Sequence, residues 1–133
     1  MKIIILDDSV TIQMIIESLL EDMGVKEEEM FLFSCGVEAL EFIKENGADI
    51  VFSDINMPIM EGYEFAVKLF EIRPDLQNSF FAVSGDESRE SYLKMKVSGA
   101  HRFLRKPINA EHFKHFVSLE ISKCRALEFT TDF

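Results

Sequence analysis

Five short apolar runs alternate along the chain with five amphipathic stretches, and this alternation restricts the possible folds more than any other feature. The runs lie at residues 2–6, 30–34, 50–53, 80–83 and 102–104. Three of them are apolar throughout, as expected of strands that are buried on both faces. Strands that alternate with helices over short links predict a parallel sheet with helices on both faces. We therefore expect an α/β fold.

The stretches between the runs carry apolar residues at helical spacing and end at residues that stop helices. The first carries Ile12, Ile15, Ile16, Leu19, Leu20 and Met23 and ends at Gly24, and the second carries Val37, Leu40 and Ile43 and ends at Asn46-Gly47. The third spans 61–72 with Phe65, Leu69 and Ile72 on one face, and the fourth spans 87–97 and is closed by Gly99. Asn109 can cap the fifth, whose predicted apolar face carries Phe113, Phe116, Val117 and Ile121.

Size and charge exclude several classes of function. A chain of 133 residues with 47% hydrophobic residues fits one globular domain. Its net charge of −10 disfavours direct binding to nucleic acid or to anionic membranes. No apolar run approaches the ~20 residues of a membrane span, and the N-terminus lacks the features of a signal peptide. Cys35 and Cys124 are widely spaced and predict free thiols, so we expect a cytoplasmic protein without membrane insertion.

Chemically active side chains follow four of the predicted strands. Asp7-Asp8 follows the first strand, Asp54 the third, Ser84 the fourth and Lys106 the fifth. In open α/β sheets, ligands bind at the carboxyl ends of the strands. Three acids, a hydroxyl and an ammonium at one sheet edge would suit a divalent cation and a phosphoryl group. Taken singly, each has an ordinary alternative, since Asp7-Asp8 could cap a helix, Asp54 and Ser84 could be turn residues, and Lys106 could be a solvated loop lysine.

These motifs resemble those of the receiver domain of bacterial two-component response regulators, of the single-domain chemotaxis type. The resemblance rests on the acidic pair, on D-I-N-M-P-I-M-E-G from Asp54, on G-V-E-A-L, on Ser84-Gly85 and on Lys106-Pro107. It implies a receiver domain over residues 1–123 and a C-terminal tail over 124–133, which could be a helix end, a frayed tail or a segment of linker. The implied fold is a doubly wound, flavodoxin-like five-stranded parallel sheet of order 2-1-3-4-5, flanked by five helices.

A divalent cation is the first implication for the site. If the sheet has this order, Asp54 lies between Asp7-Asp8 and Ser84, and two carboxylates ~5 Å apart repel by ~3 kcal/mol at an effective dielectric constant near 20. Oxygen ligands suit Mg²⁺, and Mn²⁺ is possible. By resemblance, Asp8 and Asp54 bind the metal directly together with the backbone carbonyl of Asn56, while Asp7 acts through water.

Phosphoryl transfer is the second implication. By resemblance, Asp54 is the phosphorylated nucleophile, which receives the group from a histidine kinase or a phosphotransfer protein. Ser84 and Lys106 contact the phosphoryl group, and Ser84 and Phe103 form the switch, although Phe103 could be a core residue. The resemblance also implies a cis Lys106-Pro107 bond, and the positions of Asn56 and Asp86 predict that they tune dephosphorylation.

The expected function is a phosphorylation-dependent signalling switch that catalyses only its own phosphorylation and dephosphorylation. We expect a monomer whose face of helix four, strand five and helix five controls a separate downstream target protein. One alternative is a Mg²⁺-dependent phosphatase of the haloacid dehalogenase type, which requires D-x-D after its first strand, where this chain has adjacent Asp7-Asp8. The other is a constitutive receiver-like scaffold, which requires a missing site residue. His101, His112 and His115 are interpreted as incidental surface residues.

Overall fold

A five-stranded parallel sheet forms the centre of the molecule. The structure is a computed structural model that describes residues 1–57, 60–85 and 89–131. The strands are β1 (Ile3–Leu6), β2 (Met30–Phe33), β3 (Ile50–Asp54), β4 (Phe80–Ser84) and β5 (Phe103–Arg105). They pair in the order β2-β1-β3-β4-β5, and every pair is parallel. The predicted sheet and its order are therefore confirmed.

Helices cover both faces of this sheet. They are α1 (Val10–Asp22), α2 (Gly36–Asn46), α3 (Gly62–Ile72), α4 (Arg89–Ser98) and α5 (Ala110–Thr131), with short 3₁₀ helices at Glu27–Glu29 and Pro74–Ser79 that the sequence pattern did not predict. Because side chains alternate along a strand, Ile4 and Leu6 pack with α2, α3 and α4, whereas Ile3 and Ile5 pack with α1 and α5. This two-sided burial explains why the strand residues are apolar throughout.

Several element bounds differ from the predicted ones by one or two residues. Strands β3 and β4 include Asp54 and Ser84 as their last residues, so both side chains are held by the sheet and not by a loop. Helix α4 begins at Arg89 in the part of the chain that is described, and Glu87 lies outside that part. Helix α5 continues through the predicted tail to Thr131, which makes the tail a helix end as far as that residue.

Phe116 does not belong to the buried face of α5, and that part of the prediction is wrong. Phe113, Val117 and Ile121 are buried and follow each other at intervals of four residues. Phe116 lies a quarter turn away from this line, and its side chain is 54% exposed. Helical spacing alone could not distinguish the core line of this helix from an adjacent exposed aromatic ring.

A partly buried ion pair connects the C-terminal half of α5 to the segment before β2. The Arg125 guanidinium donates two hydrogen bonds, of 2.5 and 2.8 Å, to the Glu29 carboxylate. The Glu29 carboxylate also accepts the backbone N–H of Lys26 at 3.0 Å. The hydrogen bonds from Arg125 lower the pKa of Glu29 to about 2. A lowered pKa means that the pair stabilises the fold above the unfolded pKa of ~4.3 and that this contribution disappears as the pH falls toward 2.

Arg125→Ala is therefore expected to lower the free energy of unfolding by about 1–2 kcal/mol at pH 7. The loss should be smaller at pH 3, where the unfolded carboxyl is mostly protonated. Urea unfolding at both pH values measures it. Lys123→Ala, on an exposed position of the same helix, is the control and should change stability by less than ~0.5 kcal/mol. An equal loss at both pH values would show that Arg125 acts through packing alone.

Candidate functional site

Three carboxylates meet at the carboxyl end of the sheet. Strands β1 and β3 are neighbours with Leu6 opposite Ser53, so the residues that follow, Asp7 and Asp54, also lie side by side. One oxygen from each of Asp7, Asp8 and Asp54 lies within 4.8 Å of the others. Asp7 and Asp54 are buried and Asp8 is exposed. The structure thus brings together the three acids that the sequence predicted for a metal site.

Lys106 joins this cluster from two strands away. Its ammonium nitrogen lies 3.2 Å from Asp7 Oδ2 and 3.3 Å from Asp54 Oδ1. Its backbone N–H donates a 2.6 Å hydrogen bond to the Ser84 carbonyl at the end of β4, which anchors the residue to the sheet. The Lys106-Pro107 bond is cis, as predicted. The expected convergence of Lys106 on Asp54 is confirmed.

The cluster has more negative charge than its single ammonium can balance. Burial and, to a smaller extent, the neighbouring Asp7 carboxylate raise the pKa of Asp54 to about 7, although the Lys106 ammonium opposes both effects. Burial also raises the pKa of Asp7. Burial alone would lower the pKa of Lys106. The nearby carboxylates of Asp54 and Asp7 together have a larger opposite effect, so the pKa of Lys106 is raised. Ionising all the acids is therefore unfavourable unless a further cation binds.

The donors present at the site fit a hard divalent cation. Asp7 Oδ1 accepts the Ser9 N–H at 2.8 Å. The buried Asp7 Oδ2 lies close to Lys106, yet among the described residues it accepts no hydrogen bond of good geometry. A buried oxygen in that state has a lone pair free for a ligand. Asp8 and Asn56, the latter in the loop after β3, are exposed. The carboxylates and the Asn56 carbonyl offer only oxygen donors, which Mg²⁺ and Mn²⁺ prefer.

Gln13 is a structural residue of this edge that sequence reasoning missed. Its buried side-chain amide donates to the Asp7 carbonyl at 2.8 Å and to the Phe33 carbonyl at 3.1 Å. These two hydrogen bonds therefore hold the backbone in place between the end of β1 and the loop that carries the acidic residues. The available signal was a polar side chain on the buried stripe of α1, in line with Ile16 and Leu20. Ser9, and not the acidic pair, caps α1, since its hydroxyl accepts the N–H of Ile12.

The loop after Asp54 returns to the sheet at Gly62. The Gly62 N–H donates a 2.8 Å hydrogen bond to the Ile55 carbonyl. A methyl group at Gly62 would lie 2.7 Å from that oxygen and closer still to the Asp54 carbonyl oxygen. Glycine is required here for close approach of two backbone segments. Pro58 and Ile59, in the middle of the loop, lie outside the described residues.

An open cavity lies next to Ile55, the residue that follows Asp54, on the β4–β5 side of the sheet. It has a volume of about 510 Å³, and Ser84, Gly85 and Phe103 contribute to its wall. The half-buried Phe103 ring packs against the Tyr92 ring of α4, with 4.6 Å between ring centroids. Phe103 thus lies between the sheet edge and α4, as the switch interpretation requires, and it also touches the core. Asp86, predicted to influence dephosphorylation, lies outside the described residues.

The histidines lie apart from this chemistry. His101, His112 and His115 are exposed, and the last two contact the Phe116 ring on α5. These ring contacts do not involve the acidic cluster. The interpretation of the three histidines as incidental surface residues stays a prediction.

A parallel sheet of order 2-1-3-4-5 with acids on two adjacent strands and a lysine at the same edge defines a receiver-type fold. The family model of the response regulator receiver domain matches residues 3–118, and the chain belongs to this family. The chain is therefore a receiver domain of two-component signalling.

Individual relatives agree with this assignment. The chain is 31% identical over 117 residues to chemotaxis protein CheY-3 of Vibrio cholerae, covering 86% of each sequence. It resembles the solved response regulator receiver domain protein of Clostridium thermocellum with a TM-score of 0.78 and 27% identity, covering 95% of this chain and 98% of that one. The solved CheY4 of Vibrio cholerae gives a TM-score of 0.75 and 28% identity, covering 88% and 95%. Among the helices that the structure describes, none has the length and apolar character needed to cross a membrane.

Proposed function

We propose that the protein is a phosphorylation-dependent switch that accepts a phosphoryl group on Asp54 in a Mg²⁺-dependent reaction. The observation that carries the proposal is the Asp54 carboxylate, which is buried, 3.3 Å from the Lys106 ammonium and grouped with Asp7 and Asp8. A buried carboxylate beside a fixed cation is suited to attack a phosphoryl group, because positioning and charge neutralisation dominate this chemistry. The donor would be a histidine kinase or a phosphotransfer protein.

The residues of the site have different roles in phosphoryl transfer. An oxygen of Asp54 attacks phosphorus while the bond between phosphorus and the donor nitrogen breaks. The Lys106 ammonium and the Ser84 hydroxyl donate hydrogen bonds to the phosphoryl oxygens, which neutralises the charge that builds up there. Mg²⁺, held by Asp8, Asp54 and the Asn56 carbonyl with Asp7 acting through water, would supply the remaining positive charge.

The phosphatase alternative is less well supported. It also forms an aspartyl phosphate, but its motif places the nucleophile in D-x-D after the first strand. Here the first strand is followed by adjacent acids, and the best-placed nucleophile, Asp54, ends β3. Turnover of a generic phosphatase substrate would support the alternative, whereas a single transfer without turnover supports the receiver function.

Asp8→Asn is expected to weaken Mg²⁺ binding by at least ~10-fold, or about 1.4 kcal/mol, because it removes an exposed carboxylate ligand from the cluster. Binding should also weaken as the pH falls below about 7, because Asp54 takes up a proton. Mg²⁺ titration followed by nuclear magnetic resonance measures both effects. Asp22→Asn, at the far end of α1, is the charge-matched control. Equal Mg²⁺ affinity in the two variants would show that Asp8 is not a metal ligand.

The proposed output is a change of the surface formed by α4, β5 and α5. Phosphorylation gives the Ser84 hydroxyl a new acceptor, and its movement would let the Phe103 ring leave Tyr92 and turn into the adjoining cavity. The phosphoryl group shifts the population only through its different contacts with the two states. A downstream target protein would distinguish those states. We place this monomeric switch in the cytoplasm.

Phe103→Ala is expected to leave phosphorylation of Asp54 intact while removing most of the response of α4. The reason is that the ring connects the sheet edge to Tyr92. Amide chemical shifts along α4, recorded before and after phosphorylation, give the measurement. Phe116→Ala is the control, since that ring is exposed on α5 and should leave the response unchanged. A full response of α4 in Phe103→Ala would make Phe103 a core residue only.

A further inference from the structure

Two arginines line the cavity beside the acceptor. Arg89 is the first residue of α4, and Arg105 is the last residue of β5, where it pairs in register with Ser84. Both contribute to the wall of the 510 Å³ cavity that Ser84 and Gly85 also line. Because Lys106 follows Arg105 directly, this part of the wall is fixed to the same strand that brings the ammonium to Asp54.

These arginines differ from the others in their ion pairing. Three arginines elsewhere each have a carboxylate partner at short distance: Arg73 with Asp75 at 2.7 Å, Arg102 with Glu120 at 2.7 Å, and Arg125 with Glu29. Within residues 1–57, 60–85 and 89–131, neither Arg89 nor Arg105 has a carboxylate at ion-pair distance, although acids outnumber basic residues by 24 to 14. Both guanidinium groups are thus available to an anion that enters the cavity.

A cationic site outside the acidic cluster would favour the approach of an anionic phosphodonor. The donor must approach three carboxylates in a protein of net charge −10, and each of these charges repels it. Guanidinium groups bind phosphate oxygens in a planar, bidentate geometry and stay charged at any physiological pH. Clefts lined by charge opposite to that of the ligand raise association rates by 10-fold or more at low salt.

We propose that Arg89 and Arg105 form an anion-binding subsite that admits small acyl phosphates to Asp54 and selects donors by their negative charge. This inference rests on the proposed function. In the reaction, a carboxylate oxygen of Asp54 bonds to phosphorus, the bond between phosphorus and the acyl oxygen breaks, and the acid leaves as its carboxylate. No proton, oxidant or reductant is needed, so the subsite has only to bind and orient the donor.

The test compares two donors that differ in charge. Acetyl phosphate is a dianion near neutral pH, whereas phosphoramidate carries one negative charge less because its nitrogen is protonated. At low ionic strength, the double variant Arg89→Gln/Arg105→Gln should lose ~10-fold in kcat/KM with acetyl phosphate, through KM, and less than ~3-fold with phosphoramidate. The difference should shrink at 1 M salt, where the Debye length is ~3 Å. Intact-mass measurement of phosphorylated protein gives the rates.

Lys44→Gln is the control for a general effect of charge, because it removes an exposed positive charge in the last turn of α2, away from the site. Equal losses with both donors, or a loss no larger than that of the control, would overturn the subsite. So would an unchanged KM with an altered decay rate of the phosphorylated protein, since the arginines would then hold the transferred group and not the donor.

A separate binding measurement distinguishes failure of the subsite from failure of the proposed function. Inorganic phosphate titrated into wild-type protein should shift the amide signals of Arg89 and Arg105, and the double variant should lose these shifts. If no donor phosphorylates wild type, the proposed function fails and this titration alone decides whether the subsite exists. Shifts that persist in the double variant would indicate an adventitious ion only.

Discussion

Asp54→Asn is expected to abolish phosphoryl transfer to the protein, because the amide has no nucleophilic carboxylate oxygen. Incubation with acetyl phosphate and Mg²⁺ should add one phosphoryl group to wild type and none to the variant. Peptide mapping by mass spectrometry should place the group on Asp54. A phosphoryl group on Asp7 or Asp8 of wild type, or continued phosphorylation of the variant, would overturn the assignment of the nucleophile.

The same substitution should raise stability at neutral pH, which separates loss of function from misfolding. In the absence of metal, the pKa of Asp54 is raised to about 7 by burial and by Asp7. The folded state therefore holds a proton that the unfolded state releases above ~3.9, so wild-type stability falls as the pH rises from about 4 to 7. Asparagine removes this penalty.

The expected gain is about 1–3 kcal/mol above pH 7 and close to zero near pH 4. Urea unfolding in the presence of a chelator measures it, with Asp22→Asn as the control on an exposed helix end. A variant less stable than wild type at every pH would show that Asp54 is chiefly a structural partner of Lys106.

The sequence predicted the sheet and the acid cluster because both follow from short-range patterns. Apolar runs that alternate with helical stretches favour parallel pairing, and four of the five runs lead directly into a residue of the predicted site. Asp7, Asp8, Asp54 and Lys106 could be grouped because strand order converts sequence position into neighbours ~4.8 Å apart. The order itself came from the resemblance, and the structure confirms it.

Other features depend on tertiary contacts that periodicity does not encode. Gln13 donates to the ends of two strands, and only the packed structure shows which carbonyls it reaches. Phe116 fits the apolar pattern of α5, yet its side chain is 54% exposed. The ion pair between Arg125 and Glu29 joins residues 96 positions apart. The roles of Asp54, Lys106, Ser84, Asn56 and Phe103 in phosphorylation stay predictions, because they concern a state with a phosphoryl group bound.

Gly62→Ala is expected to cost about 3 kcal/mol of stability and to impair phosphorylation in the protein that still folds. The added methyl group would lie 2.7 Å from the Ile55 carbonyl oxygen and 2.8 Å from the Ile55 Cα atom, and it would also overlap the Asp54 carbonyl oxygen. All three are backbone atoms, so the clash can be relieved only by moving the end of β3 or the start of α3. A shift of the end of β3 would displace the Asp54 carboxylate from Lys106.

Gly36→Ala provides the matched control, because Gly36 is also a buried glycine at the start of a helix. A methyl group there would meet the Met60 sulfur at 2.9 Å, which is part of a flexible side chain and can move aside. Its cost should stay below about 1 kcal/mol, with the phosphorylation rate unchanged. Urea unfolding and the initial rate with acetyl phosphate measure both variants. Equal costs would mean that the loop after Asp54 adjusts freely and that the position of the Asp54 carboxylate does not depend on the close approach at Gly62.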